Sequence, residues 1–162
     1  MAGYSGTPLL NKIGIKPGHA VLLVDAPRDF ASTLVDLPER AMLMTKVAHF
    51  DVAIVFVVAE TALGEQIRQL RPFMEQDGMI WAAWPKKASG VASDLNENRV
   101  RDLGLAAGLV DVKVCAIDDT WSGLKFVIRV ADRKKTTPAK KLAVGANGGA
   151  KRATKANKAA AK

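Results

Sequence analysis

Two clusters of residues in this chain could do chemistry. The first is Lys86, Lys87 and Ser89, in the string Trp84-Pro85-Lys86-Lys87-Ala88-Ser89-Gly90. The second is Asp118, Asp119, Trp121, Ser122 and Lys125, in Asp118-Asp119-Thr120-Trp121-Ser122-Gly123-Leu124-Lys125. Lysines beside an indole can hold an anionic ligand, or the indole can anchor a protein partner. The plainer alternative is a salt-bridged turn with Trp121 packed over a sheet edge. Asp118 and Asp119 are adjacent, so in a regular strand they face opposite ways, and only a turn can aim both inward. That weakens them as a general acid and base.

A third set of charges lies in the last 32 positions. Ten of the 24 Lys and Arg residues fall there against one acid, Asp132, a net of +9. The remaining 14 basic and 15 acidic residues leave the rest of the chain at −1. The segment carries Lys134, Lys135, Lys140, Lys141, Lys151, Arg152, Lys155, Lys158 and Lys162, with only Leu142 and Val144 as large apolar residues. It cannot bury enough surface to offset backbone ordering, so residues 132–162 are expected to be a disordered basic tail behind a domain at 1–131. Lys151, Lys155, Lys158 and Lys162 would line one face if helix formed on a polyanion. The expected partner is DNA or RNA, contacted through phosphates without sequence preference. No aromatic residue is interleaved for base stacking, and no apolar face accompanies the lysines for membrane insertion. An inert solubilising tail is the other reading.

The elements that must position the first two clusters follow from hydrophobic pattern. Thr7-Pro8 predicts a short helix to about Ile13. Val21-Leu22-Leu23-Val24 and Val52 to Val58 read as strands buried on both faces. A helix is expected through Phe30 to Val35 and a weak strand at Ala41 to Thr45. The helix after the central strand should place Leu63, Ile67, Leu70 and Met74 on one face, and Gly78 should restart the chain into a strand at Met79 to Trp84. Trp81 and Trp84 should face opposite sides of that strand. Asp94 and Glu97 have capping-box spacing, with Asn96 an equally good cap, for a helix ended by Gly108. Val112 to Ile117 and Leu124 to Val130 then form a hairpin.

This order predicts an α/β fold: a three-layer sandwich with a mostly parallel sheet ending in an antiparallel hairpin. Ligands of such sheets sit beyond the carboxyl ends of the parallel strands. Those ends bring Asp25, Glu60, Trp84, Lys86, Lys87 and Ser89 to one rim. The hairpin turn joins them if its first strand runs the same way. An unknown small ligand or protein partner is expected there.

The same order is similar to the S-adenosylmethionine-dependent methyltransferase fold, whose sheet closes with a reversed last strand. Ile15-Lys16-Pro17-Gly18-His19-Ala20-Val21-Leu22 resembles the lead-in to that family's first strand, and Leu70-Arg71-Pro72-Phe73 to Gly78 the loop before its fifth. The resemblance covers about residues 15–130. It implies a glycine-rich turn after the first strand and an acidic residue ending the second, to hold the cofactor. Here the turn is Asp25-Ala26-Pro27-Arg28-Asp29, without glycine, and the second strand ends at Met44-Thr45. About 26 residues separate the first strand from the central one, too few for the usual intervening elements. The expectation is a trimmed methyltransferase-like domain that has lost its cofactor.

Longer strings resemble a bacterial family defined as domain of unknown function number three thousand and fifty-two. They are Met1-Ala2-Gly3-Tyr4-Ser5-Gly6-Thr7-Pro8, Trp84 to Val91, Gly104 to Asp111 and Lys113 to Phe126. That resemblance implies no activity.

Cys115 is the only cysteine and lies in an apolar strand, so a buried thiol is expected and no intrachain disulfide is possible. His19 and His49 fall in loops without ligand-spaced partners, and no metal is expected. No phosphate loop or nucleophile elbow is present. No signal sequence or membrane span is visible, which places the expected protein in the cytoplasm. Three readings stand together: a binding domain with a nucleic-acid tether, a divergent transferase whose ligand enters at Asp25 to Asp29, and an interaction module with an inert tail.

Overall fold

Three apolar runs, 21–24, 52–56 and 79–84, lie in strands at the centre of the fold. The structure, a computed structural model, describes residues 9–34 and 36–134. A short helix α1 (Leu9–Ile13) precedes β1 (Ala20–Val24), β2 (Met42–Met44) and β3 (Phe50–Phe56). Then come α2 (Glu60–Leu70), β4 (Met74–Pro85), α3 (Glu97–Ala106), β5 (Leu109–Ala116) and β6 (Trp121–Ile128). The six strands form one sheet in the order β2-β1-β3-β4-β6-β5. β1 pairs in parallel with β2 and β3, and β3 in parallel with β4. β6 is antiparallel to both β4 and β5, so it is the one reversed strand and β5 runs with β4.

Each face of the sheet carries its own core. On one side Leu63, Ile67 and Leu70 of α2 and Val100 of α3 pack with Phe50, Ile80, Trp84, Leu124 and Phe126. On the other, Ile13, Ile15, Phe30 and Leu34 pack with Val21, Ile54, Phe56 and Trp81. Trp81 and Trp84 therefore point to opposite faces, as their spacing requires. Full burial of each Leu or Ile stabilises by about 1.5–3 kcal/mol, and the core includes no buried polar residue among the described residues. This is the three-layer α/β sandwich expected, with one thin layer: α1 has five residues, and no other α-helix covers that face among the described residues.

Several boundaries differ from expectation for visible reasons. The helix expected through Phe30 to Val35 is only a 3-10 turn, Ala31–Thr33. Ser32 and Thr33 turn their hydroxyls back onto the Asp29 and Phe30 carbonyls at 2.7 and 2.6 Å, which competes with helix growth. Met74 does not continue the face of α2. Pro72 sits in a 3-10 turn, Arg71–Phe73, that ends the helix, and Met74 opens β4. Gly78 consequently lies inside β4. The β3–β4 register jumps there, from Phe50 opposite Met74 to Val52 opposite Met79. A Cβ at Gly78 would come within 2.9 Å of the Asp51 carbonyl oxygen, so only glycine lets the bulged strand close up. Both hairpin strands start earlier than expected, and Trp121 and Ser122 belong to β6 rather than to the turn. The Thr7-Pro8 cap and the tail from Lys135 onward lie outside the described residues.

Candidate functional site at the carboxyl-end rim

Parallel pairing fixes what shares the rim. β1 ends at Val24 before Asp25, β3 at Phe56, β4 at Pro85 before Lys86 and Lys87, and β5 at Ala116 before the turn at 117–120. Because β5 runs with β4, that turn lies on the same edge as the others. The Lys86 N–H donates to the Thr120 carbonyl at 2.8 Å, which joins the lysine segment to the hairpin turn.

Most of the carboxylates and hydroxyls at this rim are occupied in holding it. Asp118 accepts from the Thr120 and Trp121 N–H groups, each at 2.8 Å, and so builds the turn that displays Trp121. The Ser89 hydroxyl donates to the Lys86 carbonyl at 2.6 Å and accepts from the Val91 N–H at 3.2 Å. Glu60, the first residue of α2, is held by the guanidinium of Arg99, with Nε at 3.0 Å and Nη2 also in contact. That hydrogen bond lowers the Glu60 carboxyl below its ordinary value, against the opposing effect of burial. Asp94 accepts from the Glu60 N–H at 2.9 Å and so caps α2 from the loop before α3, while Asn96 caps α3 itself. A paired carboxylate of this kind positions helices and is not a free base.

Two of the expected rim residues are elsewhere. Trp84 is buried in the core against α2 and α3. Lys125 lies four residues along β6 from Trp121, about 13 Å down the strand, opposite Trp81 on one side and Lys113 on the other. The hairpin turn is shorter than expected, so Lys125 is carried away from the rim. Ser122 pairs with Trp84 and shares its face of the sheet. Asp25, Lys86, Lys87 and Trp121 remain as accessible polar and aromatic groups of the rim, and Asp119 is exposed in the turn beside them.

The residues missed by sequence reasoning are aromatic. Phe30 and Phe56 meet edge to face at 4.8 Å, and Phe56 meets Trp121 at 5.1 Å. Phe30 and Phe56 are each only 3% exposed. The segment leaving β1 thus ends in a ring sealed beneath the rim. Sequence offered a faint signal: Phe56 stands at a strand end, where a buried ring can meet the neighbouring loops.

This geometry tests the fit of S-adenosylmethionine, which the resemblance implies. The turn after β1 has no glycine, and Asp25 takes a left-handed conformation with φ 56°. Pro27 has no N–H, and the Phe30 N–H is taken by the Pro27 carbonyl at 2.9 Å. β2 ends at Met44, and Thr45 and Lys46 follow, so no carboxylate stands where the ribose hydroxyls would need one. These residues do not fit the cofactor in the manner that the resemblance implies. Among the described residues no three His, Cys, Asp or Glu side chains converge on a metal position. No helix among the described residues is long and apolar enough to cross a membrane.

No family model matches the chain, and no curated protein matches it. Solved structures do. An O-methyltransferase from neocarzinostatin biosynthesis, in complex with S-adenosylmethionine and 2-hydroxy-5-methyl naphthoic acid, is similar with a TM-score of 0.53 at 11% identity. The match covers 68% of this chain and 49% of that one, so this chain spans about half of that enzyme's length. Magnesium protoporphyrin IX methyltransferase from Synechocystis PCC 6803, with bound S-adenosylhomocysteine, gives 0.52 at 12% identity over 75% of this chain and 78% of that one. A Bordetella parapertussis protein described as a possible exported protein gives 0.55 at 9% identity, over 75% and 65%. At these identities the likeness is one of fold: the chain has a methyltransferase-like fold.

Proposed function

We propose that this chain is a binding protein of the cytoplasm built on a methyltransferase-like fold, which does not transfer a methyl group. Its rim takes a small anionic ligand or a protein partner, and its basic tail reaches nucleic acid through phosphates. The observation that carries the first part is the Phe30–Phe56–Trp121 cluster. It fills the ground behind the β1 turn with side chains of the protein itself, and the turn presents no glycine backbone to a nucleoside. Lys86 and Lys87 follow Pro85, the register partner of the half-buried Trp121, at the same rim. The resemblance to the domain family of unknown function supports no activity either way.

A divergent S-adenosylmethionine-dependent transferase is the second reading, favoured by the fold likeness to structures that hold S-adenosylmethionine or S-adenosylhomocysteine. Isothermal titration of the full chain with both compounds separates the two. Absence of heat and of thermal stabilisation at millimolar ligand supports the binding protein. Saturable binding of either, lost on Asp25→Arg, overturns the loss of the cofactor and favours the transferase reading. For the tail, anisotropy of a labelled duplex should rise with the full chain. The rise should be much smaller when the tail's lysines and arginines are replaced by glutamine.

A further inference from the structure

Lys125, expected at the rim, instead joins a cluster that the fold assembles from distant segments. Lys113 and Lys125 are register partners across the β5–β6 hairpin, so their side chains leave the same face side by side. That face is the one carrying α1, because Trp81, the partner of Lys125 on β4, packs there. Trp81 also fixes α1 in place: its indole N–H donates to the Ile13 carbonyl at 3.0 Å. Lys12, in α1, and Lys16, just beyond it, are thereby set over the same part of the sheet.

The electrostatics agree with this placement. The Lys125 ammonium is pushed below its ordinary value, first by burial and then by Lys113 and Lys16. The Cys115 thiol, beside Lys113 on that face, feels Lys12 and Lys113. None of the ion pairs among the described residues involves these four lysines. Like charges directly opposed across a hairpin are destabilising, and here two more are added, none of the four ion-paired to a carboxylate among the described residues.

We propose that the face formed by Lys12, Lys16, Lys113 and Lys125 is a phosphate-backbone contact for nucleic acid on the folded domain itself. The inference rests on the nucleic-acid reading of the tail and extends it to a second, ordered surface. Four ammonium groups without an arginine fork or a stacking ring suit phosphate oxygens rather than base edges. None of the large exposed apolar side chains among the described residues lies in α1 or its following turn to anchor a lipid surface.

The test uses the full chain and a short fluorescein-labelled duplex, with anisotropy measured over a range of salt. In Lys113→Gln/Lys125→Gln, the slope of log affinity against log salt should fall by about 0.9 for each lost phosphate contact. Lys46→Gln/Arg68→Gln, which removes two charges elsewhere, serves as the control. Thermal melts of both variants verify folding. The second readout is alkylation of Cys115 at neutral pH with long incubation, which keeps the lysines charged and which saturating duplex should slow several-fold because the thiol lies within the covered face. A slope equal to the control's, or unaltered alkylation under saturating duplex, overturns the proposal while the tail reading stands. No duplex binding by the wild-type chain overturns both. Binding of phosphatidylserine vesicles in place of duplex overturns the nucleic-acid assignment.

Discussion

Phe56, the last residue of β3, and Trp121, the first of β6, meet ring edge to ring face at 5.1 Å with their planes 87° apart. The contact spans β4, which lies between the two strands, and fastens the hairpin turn to the parallel part of the sheet. Phe30 extends it to the segment after β1. Three pieces of rim are thus held by rings where an open crevice would have to part them.

Phe30→Ala should destabilise the domain by about 3 kcal/mol, the cost of an unfilled aromatic site. Urea unfolding measures it. The variant should still give no heat with S-adenosylmethionine, because the turn at Asp25 to Asp29 is unchanged.

Gly104→Ala should destabilise by about 1–3 kcal/mol, although alanine is the better helix former. A Cβ at Gly104 would fall 2.0 Å from the Phe126 ring, so the close approach of α3 to β6 requires its absence. Combining it with Phe126→Leu should recover part of the loss in the same urea assay, since the atoms it meets belong to that ring.

Acid should weaken the domain in a defined window. Hydrogen bonds from Arg99 and Arg101 hold Glu60 and Asp111 below their ordinary values of 4.5 and 3.8. A carboxyl lowered in the folded state contributes stability that is fully present above its unfolded value and lost as pH falls through the folded one. The melting temperature should therefore be insensitive to these groups above pH 4.5 and decline below 3.8. In Arg99→Gln the part of that decline due to Glu60 should vanish. Thermal melts along a pH series resolve the difference.

Burial raises the Cys115 thiol above its ordinary 9.0, and Lys12 and Lys113 act against that rise. Removing a neighbouring positive charge disfavours the thiolate. Lys113→Gln should therefore move the midpoint of the alkylation-rate profile to higher pH. The same substitution removes a like-charge pair and should stabilise by about 0.2–1 kcal/mol.

The sheet was legible because its strands are apolar runs bounded by proline, glycine or charge. Val21 to Val24 and Met79 to Trp84 declare burial on both faces without any tertiary information. Boundaries set by side-chain competition were not legible: nothing in the string Ala31-Ser32-Thr33 says that both hydroxyls will turn back onto the chain. The rim was found in outline through the carboxyl-end rule. Its residues were sorted only by partners distant in sequence, such as Arg99 for Glu60, 39 positions away. Lys125 was misplaced because the hairpin turn is two to three residues tighter than its Asp-Asp-Thr-Trp-Ser-Gly composition suggests.

The bond from Trp81 to Ile13 joins residues 68 positions apart. A five-residue helix cannot sustain itself in water, so α1 takes its shape from the strand it leans on. During synthesis, at about 5–20 residues per second, that strand follows by about 3–14 s. α1 is therefore without its dock throughout that interval. The helix can settle on the sheet only after β4 has been made.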